Sequence, residues 1–197
     1  LSLQLSVNMS AHLFILTGPS GVGKTTVAKR LLERRETLKK VITCTSRPVR
    51  DGEVDGESYH FLDEVTFKQH IDQGDMFEWA RVYDTYYGSR TKDVEDLLTT
   101  GNDVLFVIDV QGARTIKKER PEAIVLFLTP GSEDELIERL QKRDGGETTN
   151  LDERRAAVAD ELAFANQADH LITNKDGQLD QAIADTLKII DDLDSKA

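Results

Sequence analysis

Cysteine is nearly absent: Cys44 is the single thiol among 197 residues. A lone thiol cannot close an internal disulfide, so a buried core must hold the chain together, and one Cys in a chain of this size fits a reducing, cytoplasmic compartment. No uninterrupted apolar run approaches the roughly 20 residues a membrane span requires, and Leu1 to Ser10 lacks the basic start and long apolar stretch of a secretory signal. Basic residues are in deficit, 25 Lys and Arg against 36 Asp and Glu, for a formal net charge of −11. That argues against a surface built to coat nucleic acid. The four histidines, His12, His60, His70 and His170, are dispersed, and none lies beside Cys or carboxylates at metal-ligand spacing, so a protein-built zinc site is not supported. No internal repeat is present. What remains, 39% hydrophobic and 31% charged residues, is the composition of a globular body that can bury roughly two-thirds of its unfolded surface without staples. Leu1 to Asn8, ahead of Met9 and the first strong strand, are expected to be a remnant preceding a domain over 9–197.

The apolar run Leu13-Phe-Ile-Leu16 is followed at once by a Gly-rich turn and then by Val27, Ala28, Leu31 and Leu32 at helical spacing, which reads strand, loop, helix. Short apolar runs recur at Val104 to Ile108, Ile124 to Leu128 and Leu171 to Thr173. Helical stretches separate them at Ala113 to Lys118, Glu133 to Lys142 and Arg154 to Phe164. This alternation predicts an α/β fold with a parallel sheet covered on both faces, closed by a helix presenting Leu179, Ile183, Leu187 and Ile190. Between residues 43 and 90 the pattern changes. Asp51-Gly52 and Asp55-Gly56 mark tight turns, and Tyr59, Phe61, Phe77, Trp79, Val82, Tyr86 and Tyr87 suggest short strands around a helix at Val65 to Gln73, an inserted mixed sheet. Lys142 to Asp152, polar and carrying Gly145-Gly146, reads as a mobile hairpin between two helices.

Gly18-Pro-Ser-Gly-Val-Gly-Lys-Thr25 matches G-x-x-x-x-G-K-[ST] in the strand-to-helix context that the pattern needs. Its glycines let backbone N–H groups turn inward around phosphate oxygens, Lys24 adds a charge near the β and γ phosphates, and the Thr25 hydroxyl can ligate Mg²⁺. The bland alternative is a Gly-rich turn with a solvated lysine. Asp109 ends the apolar strand at the same carboxyl edge of a parallel sheet, where it can face the metal or simply cap the next helix. The loop does not name the acceptor, since ATPases, GTPases and small-molecule kinases share it.

The stretch Thr43-Cys-Thr-Ser-Arg-Pro-Val-Arg-Asp-Gly-Glu-Val-Asp-Gly-Glu-Ser-Tyr-His-Phe61, taken with the loop, resembles the guanylate kinase family. The resemblance continues through Phe77-Glu-Trp-Ala80, Tyr86-Tyr-Gly-Ser89, Ile108-Asp-Val-Gln-Gly-Ala113 and the Arg-rich segment from Arg139 to Arg154. It implies a phosphate-loop core (9–42, 91–138 and 156–197), an inserted nucleoside-monophosphate-binding subdomain (43–90) and a helical lid (139–155), catalysing ATP-dependent phosphorylation of GMP, and dGMP with it, to GDP. ATP would lie on Gly18, Pro19, Ser20, Gly21, Val22, Gly23, Lys24, Thr25 and Thr26, with Asn174 as the adenine contact. GMP would be held by Thr43, Arg47, Arg50, Glu53, Tyr59, Glu78, Tyr87, Ser89 and Asp109. Lys24, Arg47, Arg139, Arg143 and Arg154 would be catalytic, with Mg²⁺ on Thr25 and Asp109. The implied partners are ATP and GMP alone, without nucleic acid or membrane, in a monomer or homodimer.

The chemistry of these residue types agrees with those roles. Guanidinium groups can each make two parallel bonds to phosphate oxygens. Guanine presents N1–H and an amino group as adjacent donors to one carboxylate, Glu78, whereas adenine offers a lone pair at N1 and is rejected. Each role has a plainer alternative: surface ion pairs for Arg47 and Arg50 with Asp51, Glu53, Asp55 or Glu57, core packing for Tyr59 and Tyr87, a solvent-facing strand position for Glu78, and i,i+4 pairing of Arg139 and Arg143 with Glu135 or Glu138. Trp79 is expected in the core, and Cys44 as a buried inert thiol. Val107 stands where the family usually has Asp or Glu, which removes one acidic contribution to the metal or guanine pocket. A protein-interaction module on the same fold, and a kinase for another small phosphate compound, are the rival readings.

Overall fold

A computed structural model describes residues 11–82, 84–143 and 151–195, without the side chains of 143 and 151–155. Its main sheet is built from β1 (Leu13–Thr17), β2 (Leu38–Lys40), β7 (Asp103–Val107), β8 (Ile124–Thr129) and β9 (His170–Thr173), in the order β2-β7-β1-β8-β9. All four pairings are parallel. Every residue of β1 is buried, as a central strand covered on both faces requires. Its side chains alternate. Phe14 and Leu16 join one cluster with Val27 and Leu31 of α1 (Lys24–Arg34) and Ile183 and Ile190 of α7 (Leu179–Asp194). Leu13 and Ile15 join the other, with Ala113 and Ile116 of α4 (Val110–Glu119). Each such fully buried Leu, Ile or Phe contributes about 1.5–3 kcal/mol.

The second sheet has the order β4-β3-β6-β5, from β3 (Cys44–Thr45), β4 (His60–Phe61), β5 (Met76–Val82) and β6 (Thr85–Arg90). The β5/β6 hairpin pairs Glu78 with Ser89 and Ala80 with Tyr87, after a register irregularity between Met76 and Glu78. Helix α2 (Glu64–Gln73) sits between β4 and β5 in sequence; Asp63 caps it by accepting from Thr66 N at 2.8 Å, and Gly74 ends it with φ 73°. The two sheets are joined by α3 (Thr91–Leu98) and by the stacked rings of Phe77 and Phe106, 5.5 Å apart.

The predicted α/β class with an inserted mixed sheet is what the chain adopts. Some short elements are not visible in the sequence pattern: β2 is a three-residue edge strand carrying Lys39 and Lys40, and α3 has only two turns with Val94 as its one buried residue. Trp79 is a correction. It is 42% exposed, because β5 is the edge of the second sheet and Glu78, its chain neighbour, takes the inward face. Cys44 is buried, and burial pushes its thiol up to about 11. The expected hairpin lies mostly in 144–150, and the expected leading remnant in 1–8; both fall outside the described residues. Among the described residues no helix is long and apolar enough to cross a membrane.

Candidate functional site

The register of the main sheet builds the site. Leu16 pairs with Val107, so the loop that follows β1 and the turn that follows β7 leave the sheet side by side at its carboxyl edge. Gly18 has φ 141°, and a Cβ there would collide with the Leu128 carbonyl of the neighbouring strand. Gly23, at φ 101°, is the residue before α1, and a Cβ on it would meet Asn174 Nδ2 at 2.6 Å. Glycine is thus required at both positions by conformation and by space. Lys24 donates to Gly18 O at 2.6 Å and Pro19 O at 3.2 Å, placing its ammonium across the mouth of the loop. Thr25 and Thr26 are exposed on the first turn of α1.

The loop is braced from above. Leu136 and Leu140 of α5 (Glu133–Arg143) share a cluster with Val22 and with Val158 of α6 (Leu151–Ala163), and a Cβ on Gly21 would lie 2.8 Å from Leu140 Cδ2. Asn174, buried at the end of β9, donates from Nδ2 to Val22 O at 2.7 Å. Arg139 donates to Val22 O at 3.3 Å, to Asn174 O at 2.9 Å and to Asp176 Oδ1 at 2.8 Å, and it also pairs with Glu135. The i,i+4 pair with Glu135 is therefore present, and the same guanidinium ties α5 to the loop. The side chains of Arg143 and Arg154 lie outside the described residues.

Glu161 of α6 was missed by sequence reasoning. Its Oε2 accepts from Ser20 N at 3.1 Å, and burial raises the carboxyl's affinity for its proton while the Ser20 amide and the Lys24 charge oppose that. The available signal was its position three residues after the buried Val158, which puts a carboxylate on the packed face of a helix.

On the other side of the Asp109 turn lies a second polar pocket. Asp109 accepts from Gly112 N at 2.9 Å, so it does cap α4; one of its oxygens is engaged in that bond. Gly112 in turn abuts Glu78, with a built Cβ only 2.9 Å from Glu78 Oε2. Glu78 is 4% exposed and Ser89 wholly buried, and Ser89 Oγ donates to Glu78 Oε1 at 2.8 Å, a cross-strand pair dictated by the β5/β6 register. Burial, together with the nearby Asp109 charge, pushes the Glu78 carboxyl up to about 7 despite the Ser89 bond. Val107, at a position where an acid would have faced the polar pocket, packs against the apolar cluster.

The third group surrounds Arg47. Its guanidinium makes a bidentate pair with Glu53, at 2.6 and 2.5 Å, and lies 5.0 Å from the Tyr59 ring centroid and 5.6 Å from that of Phe61. The Arg47 bonds hold the Glu53 carboxyl down at about 2. The ion pair considered for Arg47 is therefore present, with Glu53 as its partner. Glu53 Oε2 also accepts from Arg50 N at 2.9 Å, fixing the turn while the Arg50 side chain stays exposed. Tyr59 and Tyr87 stand edge to face with centroids 6.3 Å apart, and Thr43 is buried on the strand side, its carbonyl accepting from His60 N at 2.9 Å.

His12 does gain carboxylate neighbours in space. With Asp103 and Asp194 it forms a cluster that sequence spacing concealed, but the Arg35 guanidinium already bonds both acids, so the group is a salt-bridge knot, at the sheet edge opposite the loop.

The model of the family described as guanylate kinase matches residues 10–193. Guanylate kinase of Nitrobacter winogradskyi is 38% identical over 179 residues, covering 90% of this chain and 81% of the relative. Guanylate kinase of Shewanella violacea is 41% identical over 180 residues, covering 91% and 86% respectively. Among solved structures, the crystal structure of guanylate kinase from Anaplasma phagocytophilum superposes with a TM-score of 0.74 at 26% identity, covering 93% of this chain and 86% of that one.

Proposed function

The chain belongs to the guanylate kinase family, and we propose from that premise that its two pockets bind ATP and GMP and pass the terminal phosphoryl group in line between them, giving GDP and ADP. The observation that carries this is the Asp109 turn. It leaves the sheet beside the phosphate loop and, through Gly112, abuts the buried Glu78–Ser89 pair, so a phosphate cradle and a guanine-selective carboxylate share one short connection.

Gly18 to Thr26 cradle the ATP phosphates, Lys24 swings from its bonds with Gly18 and Pro19 to neutralise transferred charge, and Asn174 and Arg139 hold the loop in shape at Val22. Glu78 accepts from guanine N1–H and the exocyclic amine, while Ser89 gives up its bond to Glu78 and donates to guanine O6; Thr43 adds a further base contact. Arg47, Arg50, Tyr59 and Tyr87 take the GMP phosphate, with Glu53 holding Arg47 in register against the Tyr59 and Phe61 rings. Arg143 and Arg154 are assigned to the transferring group from sequence alone. An oxygen-only donor set, the exposed Thr25 hydroxyl on the first turn of α1 and the Asp109 carboxylate in the turn after the paired strand β7, fits a hard divalent cation. Thr25 and Asp109 would hold Mg²⁺, which would offset phosphate charge. The lone buried Cys44 suits a reducing cytoplasm, and the net charge of −11 suits small-molecule substrates rather than nucleic acid. The protein acts as a monomer or homodimer.

A coupled assay offering GMP, dGMP, IMP, AMP and CMP with Mg-ATP tests this directly. Turnover is expected with GMP and dGMP and not with AMP or CMP. Absence of GMP turnover would overturn the reading and leave an interaction module, and equal use of AMP would remove Glu78 as the selector.

A further inference from the structure

We propose that Glu161 is a built-in competitor for the ATP phosphates, a positioning residue whose carboxylate occupies a phosphate-loop amide until nucleotide displaces it. The inference rests on the loop being the ATP cradle and goes further, to how nucleotide arrival is communicated to α6.

Phosphate-loop amides form an anion site because several N–H dipoles point the same way. One of them, Ser20 N–H, already donates to a carboxylate oxygen, Glu161 Oε2, at 3.1 Å. That carboxylate is aimed by packing. Val158, one turn earlier on α6, is 2% exposed in the cluster that also contains Val22 of the loop and Leu136 and Leu140 of α5. The helix is thereby fixed against the loop, and the residue three positions on points at its amides. Lys24 supplies the compensating charge nearby.

A phosphate oxygen and the Glu161 carboxylate cannot share the Ser20 amide, and two anions this close in a partly desolvated site repel strongly. Nucleotide binding must therefore move Glu161 off the loop. Glu161 lies in the last turns of α6, seven residues after Arg154 and so about two helical turns further along. Release of this tether frees α6 from one polar contact with the loop at the moment when phosphate arrives. The apparent ATP affinity is reduced by the fraction of molecules in which the carboxylate holds the amide.

Equilibrium titration calorimetry on the whole chain tests this, with ATP in the presence of a chelator, adenosine, and GMP as separate ligands. Glu161→Gln removes the charge and keeps an acceptor for Ser20. It should bind ATP roughly five- to tenfold more tightly than the parent chain, the lower range of coupling between linked sites. Adenosine, which has no phosphate, and GMP, which binds elsewhere, should bind unchanged; a merely structural role would move all three. ATP affinity equal to or weaker than that of the parent overturns the proposal. If Glu161→Gln does not fold, Glu161→Asp, whose shorter side chain withdraws the carboxylate from the amide, must show the same tightening, and its failure to do so overturns the proposal equally. Lys24→Ala separates the two levels. Unchanged ATP affinity in Lys24→Ala would remove the cradle reading itself, whereas weakened binding there with no gain in Glu161→Gln removes only the competitor.

Discussion

At the scale of single residues, Glu78 concentrates the most chemistry. Its carboxyl is pushed up to about 7, above the ordinary glutamate value near 4.5, because burial outweighs the Ser89 bond. A carboxyl whose folded pKa lies above its unfolded one costs stability when ionised. The penalty is absent below the unfolded value, grows as pH rises between the two, and is fully present above about 7, where it amounts to on the order of 3 kcal/mol. Glu78→Gln cannot ionise. Its melting temperature relative to the parent should therefore be more favourable at pH 8 than at pH 5, by several degrees for a domain of this size; paired thermal melts at the two pH values check it, and a pH-independent difference refutes it. Binding runs the other way. The guanine donors need the ionised form, so the parent's KM for GMP should rise as pH falls below about 7, and Glu78→Gln should lose that slope together with about two orders of magnitude of guanine preference. Steady-state KM against pH, for GMP and IMP, decides between these outcomes.

At the scale of elements, the first turn of α4 is the hinge of the site, since Asp109 caps it and Gly112 makes room for Glu78. Gly112→Ala would place a methyl 2.9 Å from Glu78 Oε2 and 3.2 Å from Ile108 Cδ1. Helix propensity favours Ala over Gly by about 1 kcal/mol, so the helix itself should form well. The expected result is a KM for GMP raised about tenfold or more through a displaced Glu78, with the KM for ATP little altered. Equal loss toward both substrates would show that the turn serves stability instead. The legibility of the chain divides along the same line. Strands β1, β7 and β8 announced themselves because both of their faces are buried and their runs are continuously apolar. The loop was legible because its chemistry depends on the backbone, which demands Gly at fixed offsets. Arg139 and Glu161 were not. Their partners, Val22, Asn174 and Ser20, lie 35 or more positions away, and on a helix of mixed charge nothing local separates a residue turned to the loop from one turned to solvent. Trp79 misled because large aromatics are usually core, whereas here the strand's edge position and the inward Glu78 decided its side.

At the scale of the whole molecule, the two ends of the parallel sheet hold charge for different purposes. The carboxyl edge gathers Lys24, Asp109 and Glu161 around the loop, the place proposed for the ATP phosphates. The amino edge gathers Arg35, 15% exposed, among Asp103, Asp191 and Asp194, with His12 beside them, where the charges tie the C-terminal helix α7 to β7 and to the end of α1. Asp103 is nearly buried, at 6%, and also accepts from His12 N at 2.8 Å, so it depends on Arg35 for neutralisation. Removing Arg35 strands only the buried Asp103 charge, since Asp191 and Asp194 remain solvated, a cost of about 3 kcal/mol, the low end for a broken buried pair. Arg35→Ala should accordingly lower the melting temperature by roughly 6–12 °C in a domain of this size, and Asp103→Asn, which keeps an acceptor for the His12 amide, should lower it less. Because α7 packs on the same apolar cluster that contains Val22, the test is whether this loosening reaches the loop. If the sheet transmits rigidly, kcat and both KM values of Arg35→Ala measured well below its melting point should match those of the parent. A rise in the KM for ATP alone would instead show that the amino-edge charges help to set the shape of the phosphate cradle at the far end of β1.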